Sequence, residues 1–265
     1  MRGAVERKRG GTKCREKAPR LFSLAALLGA TLFLTYAFFQ SPPRAARHSI
    51  PKGKHMIFET IVVGQLGGNC YILGSPDTGE GIVVDPGAEP ERIAAAVERL
   101  GLRVKYILNT HGHFDHVGGN RRLIERSGAK LLIHERDLPF LSRASAAAAS
   151  YGLTADDSPP PDQFLADGMR VTFGSCGLTV LHTPGHTPGG CSLYLEGEGI
   201  VLTGDTLFAD SVGRTDFPGS SHEALIEGIR TKLLTLPEET RVFPGHGPST
   251  TIGREKRLNP YLAEK

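Results

Sequence analysis

Residues 110 to 116 read THGHFDH and put His111, His113, Asp115 and His116 within six positions. In a chain of this composition chance gives about 0.0006 occurrences of HxHxDH, so the run calls for a chemical explanation. Imidazole nitrogens and carboxylate oxygens together suit a zinc, iron or manganese ion, and the absence of cysteine from the run argues against a thiolate structural site. The flanking residues say how the run is held. VKYILNT (104–110) is β-branched and aromatic and reads as a buried strand, whereas GGNRRLIERSG (118–128) has helical spacing behind two glycines. The run therefore sits on a strand-to-helix loop. Extended backbone sends residues i and i+2 to one side, so His111 and His113 can share one cation, while Asp115 and His116 can face a second.

Three later segments repeat the arrangement. LHTPGHTPGG (181–190) follows the strand-like GLTV and offers His182 and His186 in a glycine and proline turn. GIVLTGDTLF (199–208) is an apolar strand ending in Asp205, and RVFPGHGP (241–248) carries His246 past another. Each group lies just beyond a hydrophobic strand, at the rim where α/β sheets place chemistry.

Together these motifs resemble the metallo-β-lactamase superfamily and, within it, the short glyoxalase II-like (hydroxyacylglutathione hydrolase-like) enzymes. The resemblance runs over residues 56–265: HxHxDH at 111–116, GHTPGG at 185–190, GDTLF at 204–208, GRTDFPG at 213–219 and PGHGPSTTIGREKRLNP at 244–260. It implies that His111, His113 and His186 bind one metal, that Asp115, His116 and His246 bind the other, and that Asp205 bridges them. Asp85, which ends the strand GIVVDPG, corresponds to an aspartate that supports a ligand histidine from behind. His182 is not implied as a ligand, since the family's histidine is the one after PG.

The implied cofactors are two divalent metal ions, zinc first, with iron or manganese as alternatives. Two adjacent cations bring a water molecule to its hydroxide form near neutral pH, which can attack a carbonyl carbon. A thioester suits such a site because its thiolate departs with little proton donation, and Asp115 could orient the hydroxide or accept its proton. The expected function is hydrolysis of a small-molecule thioester. Three other readings stand beside it. GRTDF recurs in persulfide dioxygenases, which use a single iron, whereas PGHGP favours the dinuclear hydrolase. Lactonases and β-lactamases share HxHxDH, though a bridging Asp205 argues against the lactamases. A non-enzymatic binding module is the weakest reading, because it has no use for a complete ligand set. Arg214 and Asp216 in GRTDFPG are expected to form an ion pair beside the site or to touch substrate.

Full-length glyoxalase II enzymes continue beyond the last metal histidine into a helical domain whose basic residues hold glutathione. Here 19 residues follow His246, among them Arg254, Lys256 and Arg257, so recognition of glutathione is less marked than the chemistry.

Composition divides the 265 residues into two parts. Residues 1–55 form a basic leader of 12 Lys and Arg against 2 Glu, and residues 56–265 form an acidic catalytic domain with a net charge of −7. The leader holds 19 uncharged residues, Leu21 to Phe39, long enough to span a bilayer. It reads as a signal anchor with a cytoplasmic N-terminus, as a cleaved signal, or as an upstream extension of a translation start at Met56. The protein is accordingly expected at a membrane, or in the cytoplasm if translation begins at Met56. The basic residues are not interleaved with aromatics on the domain, so no nucleic-acid partner is expected. Nothing sets the oligomeric state. Cys70 and Cys191 read as small core residues and Cys176 as a turn residue.

The expected fold is α/β, an αββα metallo-β-lactamase sandwich preceded by the hydrophobic N-terminal segment. Strands are predicted at IFETIVVG, CYILG, GIVVD and VKYILNT, with a helix at 89–101. A second half of the same plan follows with KLLIH, MRVTFG, LTVLHT, CSLYLEG, GIVLTGD and RVFPG, and a helix at 221–236. The low-complexity stretch 143–162 reads as a loop that covers the site or as a surface insertion.

Overall fold

In a computed structural model the described residues are 56–262. The basic leader, with its apolar run 21–39, lies outside them. Among the described residues no helix is long and apolar enough to cross a membrane.

The first sheet runs in sequence order through β1 (Ile57–Val63), β2 (Gly68–Gly74), β3 (Glu80–Val84), β4 (Arg103–Leu108), β5 (Lys130–His134) and β6 (Gln163–Leu165). Its first three strands are antiparallel and β3 to β6 are parallel. The parallel connections carry α1 (Pro90–Arg99), α2 (Phe114–Val117) with α3 (Asn120–Ser127), and α4 (Leu138–Leu141) with α5 (Ala144–Ser150). The second sheet uses β7 (Arg170–Phe173), β8 (Cys176–His182), β9 (Cys191–Leu195) and β10 (Ile200–Gly204). A small ribbon follows, β11 (Leu207–Phe208) with β12 (Ser211–Val212), then α6 (His222–Gly228), β13 (Arg241–Pro244), β14 (Thr250–Thr251) and α7 (Ile252–Leu258). The order across this sheet is β14-β13-β10-β9-β8-β7.

Strand periodicity of two explains the layers. In β2, Cys70 and Ile72 point outward into a core shared with Ile93 and Val97 of α1, while Tyr71 and Leu73 point inward to meet Phe173, Val180 and Leu193 of the other sheet. In β10 the inward residues are Ile200 and Leu202. Its Val201 faces out toward Leu225 of α6 and Ile229, which continues that helix in a wider turn. Both sheets are thus covered on both faces, which is why their strands read as continuous apolar runs. The result is helix, sheet, sheet, helix.

Two expectations need correction. KLLIH is β5 and belongs to the first sheet, where it pairs in parallel with β4 and with the unanticipated β6. The stretch 143–162 is not all loop: its alanine run forms α5, as the high helix propensity of alanine allows. Cys70 and Cys191 are buried in β2 and β9, and Cys176 is half-buried at the start of β8.

Candidate metal centre

Five strand ends converge on one rim. Asp85 follows β3, the loop after β4 carries His111 and His113, and α2 carries Asp115 and His116. The turn between β8 and β9 carries His186, Asp205 follows β10, and His246 follows β13. The ligand-capable atoms of His111, His113 and His186 lie within 4.8 Å of one another, as do those of Asp115, His116 and His246. His113 Nδ1 is 3.0 Å from His186 Nε2, and His116 Nε2 is 3.3 Å from His246 Nε2. Asp205 lies between the trios, with Oδ1 3.5 Å from His116 Nε2 and Oδ2 3.6 Å from His186 Nε2. His111 Nε2 and Asp205 Oδ1 are buried with no hydrogen-bond partner among the described residues. Such unpaired atoms cost about 1–3 kcal/mol each. A cation is the partner their chemistry fits, and a nitrogen and carboxylate set without thiolate suits zinc, iron or manganese.

The other faces of the histidines fix their tautomers. His186 Nδ1 donates to the carbonyl of Arg214 (2.8 Å) and His246 Nδ1 to that of Leu66 (3.1 Å). His116 Nδ1 donates to Asp85 Oδ2 (3.1 Å). His111 Nδ1 donates to Thr110 Oγ1 (3.1 Å), whose own hydroxyl donates to Asp85 Oδ2 (2.6 Å). Carbonyls and carboxylates only accept, so Nδ1 carries the proton in His116, His186 and His246 and leaves Nε2 free to ligate. Asp85, at a left-handed φ of 50°, thereby supports one histidine of each trio. It also accepts Thr110 N–H at 2.7 Å.

The trios differ electrostatically. Burial and the neighbouring His186 pull His113 down to about 3, and burial likewise lowers His111. Burial opposes charge on His116 too, yet Asp205, Asp115 and Asp85 raise it to about 10. Burial also opposes charge on Asp115, but His116 and His246 hold its carboxyl below the ordinary range.

Several supporting residues escaped sequence reading. Asp137, fully buried, accepts from Gly112 N (2.9 Å), Gly189 N (2.6 Å) and Thr187 Oγ1 (2.7 Å), which ties the His111–His113 loop to the turn of His186. It lies three residues past the end of β5, beyond Glu135, so the strand-end rule that selected Asp85 and Asp205 does not reach it. Asn69 donates to the carbonyls of Pro244 and Gly247 and so steadies His246. Gly245 is needed for close approach, because a Cβ there would lie 2.2 Å from Asp205 Oδ1.

The side chains of the other singled-out residues belong to neither trio. Arg214 pairs in bidentate fashion with Asp216 (2.7 and 2.6 Å) and lies over the Phe217 ring. His182 stacks on His134 and donates to the Pro188 carbonyl, away from both trios. Arg254 pairs with Asp210 and Glu255, and Arg257 and Lys256 pair with Glu238. None of these three tail residues lines the cleft of about 900 Å³ that opens onto His113, Asp115, His186, Asp205 and His246.

Residues 63–246 match the model of the metallo-β-lactamase superfamily. The chain belongs to that superfamily. It is similar to hydroxyacylglutathione hydrolase GloC of Haemophilus influenzae, 38% identical over 79% of this chain and all of the relative. Among solved structures, that of TTHA1623 in a di-iron-bound form is 42% identical with a TM-score of 0.72, covering 77% of this chain and all of that one. That of BLEG-1 B3 metallo-β-lactamase is 36% identical with a TM-score of 0.74, covering 78% of this chain and all of that one. The fold is the mixed α/β fold of the superfamily, and the chain is a metal-dependent hydrolase with candidate clusters for two metals.

Proposed function

We propose that the chain is a dinuclear thioester hydrolase of the hydroxyacylglutathione hydrolase type. His111, His113 and His186 would hold one cation, Asp115, His116 and His246 the other, and Asp205, seated between the trios, would serve both. The observation that carries the reading is the seat of Asp205 between the trios, with Oδ1 3.5 Å from His116 Nε2 and Oδ2 3.6 Å from His186 Nε2 and 3.8 Å from His246 Nε2. A mononuclear enzyme would need only one trio. The GloC relative supports the thioester, and the di-iron structure supports two metals without deciding their identity, for which zinc remains the first choice.

When bound, two cations supply a hydroxide near neutral pH and an electrophile for the carbonyl oxygen. The chain's own residues do the rest. Asp115, on the cleft side, orients the attacking water and takes its proton, and Asp85 keeps His116 in its ligating tautomer. A thiolate leaves without general-acid help because a free thiol ionises near pH 8.5, which fits a cleft whose lining has one hydroxyl, that of Tyr151. Water adds to the carbonyl carbon, the carbon–sulfur bond breaks, and a carboxylic acid and a thiol result.

The test is metal analysis of the purified protein with parallel assays on S-lactoylglutathione, other thioesters, a lactone, a β-lactam and glutathione persulfide. Two metals per chain and fastest turnover of a thioester are expected. One iron with oxygen consumption on the persulfide overturns the reading. Asp115→Asn should lower kcat by orders of magnitude; full activity with full metal content would remove its assigned role. Likeness to BLEG-1 favours β-lactam hydrolysis as a second reading, which a nitrocefin assay decides.

A further inference from the structure

One wall of the cleft comes from a single stretch of chain. Arg136, Phe140, Arg143, Ala144, Ala147 and Tyr151 line it, at the spacing of one helical face across the short turn before α4, then α4 and α5. The stretch is fixed to the trios where it begins. Asp137 is bonded on both sides of the site, and the Phe140 ring stands edge-on to His113 at 5.5 Å. This face is therefore set by the same contacts that set the histidines.

Its chemistry is uneven. Phe140 and Tyr151 bracket exposed Ala147, whose small side chain leaves an apolar trough between the rings over buried Ala144, and Phe114 extends it with its centroid 5.6 Å from that of Tyr151. Arg136 and Arg143 flank Phe140. The third arginine of the cleft, Arg214, is taken up by Asp216. Arg136 and Arg143 are exposed, and neither side chain has an acidic partner among the described residues. A guanidinium with no internal partner beside an apolar trough matches an amphiphilic anion, because its planar donors fit an oxyanion.

We propose that the face 136–151 selects the substrate: the trough between Phe140 and Tyr151 takes an apolar arm, and Arg143, with Arg136, holds an oxyanion on the same molecule, a carboxylate or a phosphate. The identity of that molecule as a thioester rests on the hydrolase reading above, whereas its binding does not.

Binding and turnover separate the two. Calorimetry on metal-loaded protein would compare S-hexylglutathione, its diethyl ester, S-methylglutathione and hexyl phosphate, using wild type, Arg143→Gln and Ala147→Phe. S-hexylglutathione or hexyl phosphate should bind at least tenfold more weakly to Arg143→Gln, and the more affected of the two names the oxyanion. The diester should bind both proteins alike. Ala147→Phe should abolish the preference for hexyl over methyl. Arg143→Gln should raise KM for an anionic thioester with kcat retained. Equal binding of acid and diester by wild type together with unchanged binding of hexyl phosphate by Arg143→Gln, or equal weakening of acid and diester in Arg143→Gln, overturns the proposal. If these binding differences hold while no thioester is hydrolysed, the thioesterase reading fails and the selecting face stands.

Discussion

Replacing Asp137 by Ala tests whether the trios depend on a residue that touches neither of them. The change strips three buried donors, Gly112 N–H, Gly189 N–H and Thr187 Oγ1–H, of their common acceptor. At about 1–3 kcal/mol per unsatisfied donor the gross loss is roughly 3–9 kcal/mol. Part is returned, because burial already raises the Asp137 carboxyl above its ordinary range and that charge is no longer enclosed. A net loss of about 3 kcal/mol lowers Tm by roughly 6–12 °C in a domain of this size. The same bonds hold Gly112 between two histidines of the first trio and Gly189 near the third. Affinity for the cation of that trio should therefore fall about 10–100-fold, as when a supporting partner of a ligand is removed. Thermal unfolding with and without chelator, and competition with a chromophoric chelator, read the two effects. A variant that melts within 2 °C of wild type and binds metal as tightly would refute the role assigned to Asp137.

Asp85→Asn should weaken metal binding about 10–100-fold, since the amide cannot accept from Thr110 and His116 together; unchanged chelator competition would contradict this. In chelated protein His116 is raised from 6.5 to about 10, so its charged form stabilises the fold fully below pH 6.5 and this contribution is lost as pH rises toward 10. Melts of chelated protein across that range should show the decline. A cation must displace the same proton, so metal affinity should rise with pH, with protons released in calorimetry. Gly245→Ala should reduce metal content sharply, because its Cβ would lie 2.7 Å from His116 Cε1 and closer still to Asp205; a fully loaded variant would show that the backbone yields. Arg257→Ala, which breaks an exposed pair with Glu238, should leave KM within twofold and stability within about 1 kcal/mol.

What could be read from the chain alone follows the range of the forces involved. Apolar runs such as GIVVD and GIVLTGD declare buried strands, and an acid or imidazole just past each one declares a rim, but that rule offers His182 beside His186, and the choice of the seven residues that the structure brings together came from the family resemblance. Asp137 was not legible, because its partners lie 25 and 52 residues away and nothing local distinguishes it from a surface acid. The Arg214 carbonyl that orients His186 has no residue-type signal at all, since any residue offers a carbonyl. KLLIH was recognised as a strand but assigned to the wrong half, because membership of a sheet depends on a parallel partner and not on the strand itself. The stretch 143–162 reads from its composition equally as a cover for the site or as a surface insertion, and the cleft lining of Arg143, Ala147 and Tyr151 separates the two only once the fold is known.

The trios draw on both sheets, with His111, His113, Asp115 and His116 from one and His186 and His246 from the other, joined by the backbone bridge between Gly68 and His246. A cation held there acts as a rivet through the sandwich, and it binds the folded chain alone because its ligands are scattered once the sheets part. By mass action each hundredfold excess over its dissociation constant adds about 2.7 kcal/mol against unfolding. Survival of the protein against proteases then follows the metal supply, so a shortage would thin the population of molecules as well as silence them.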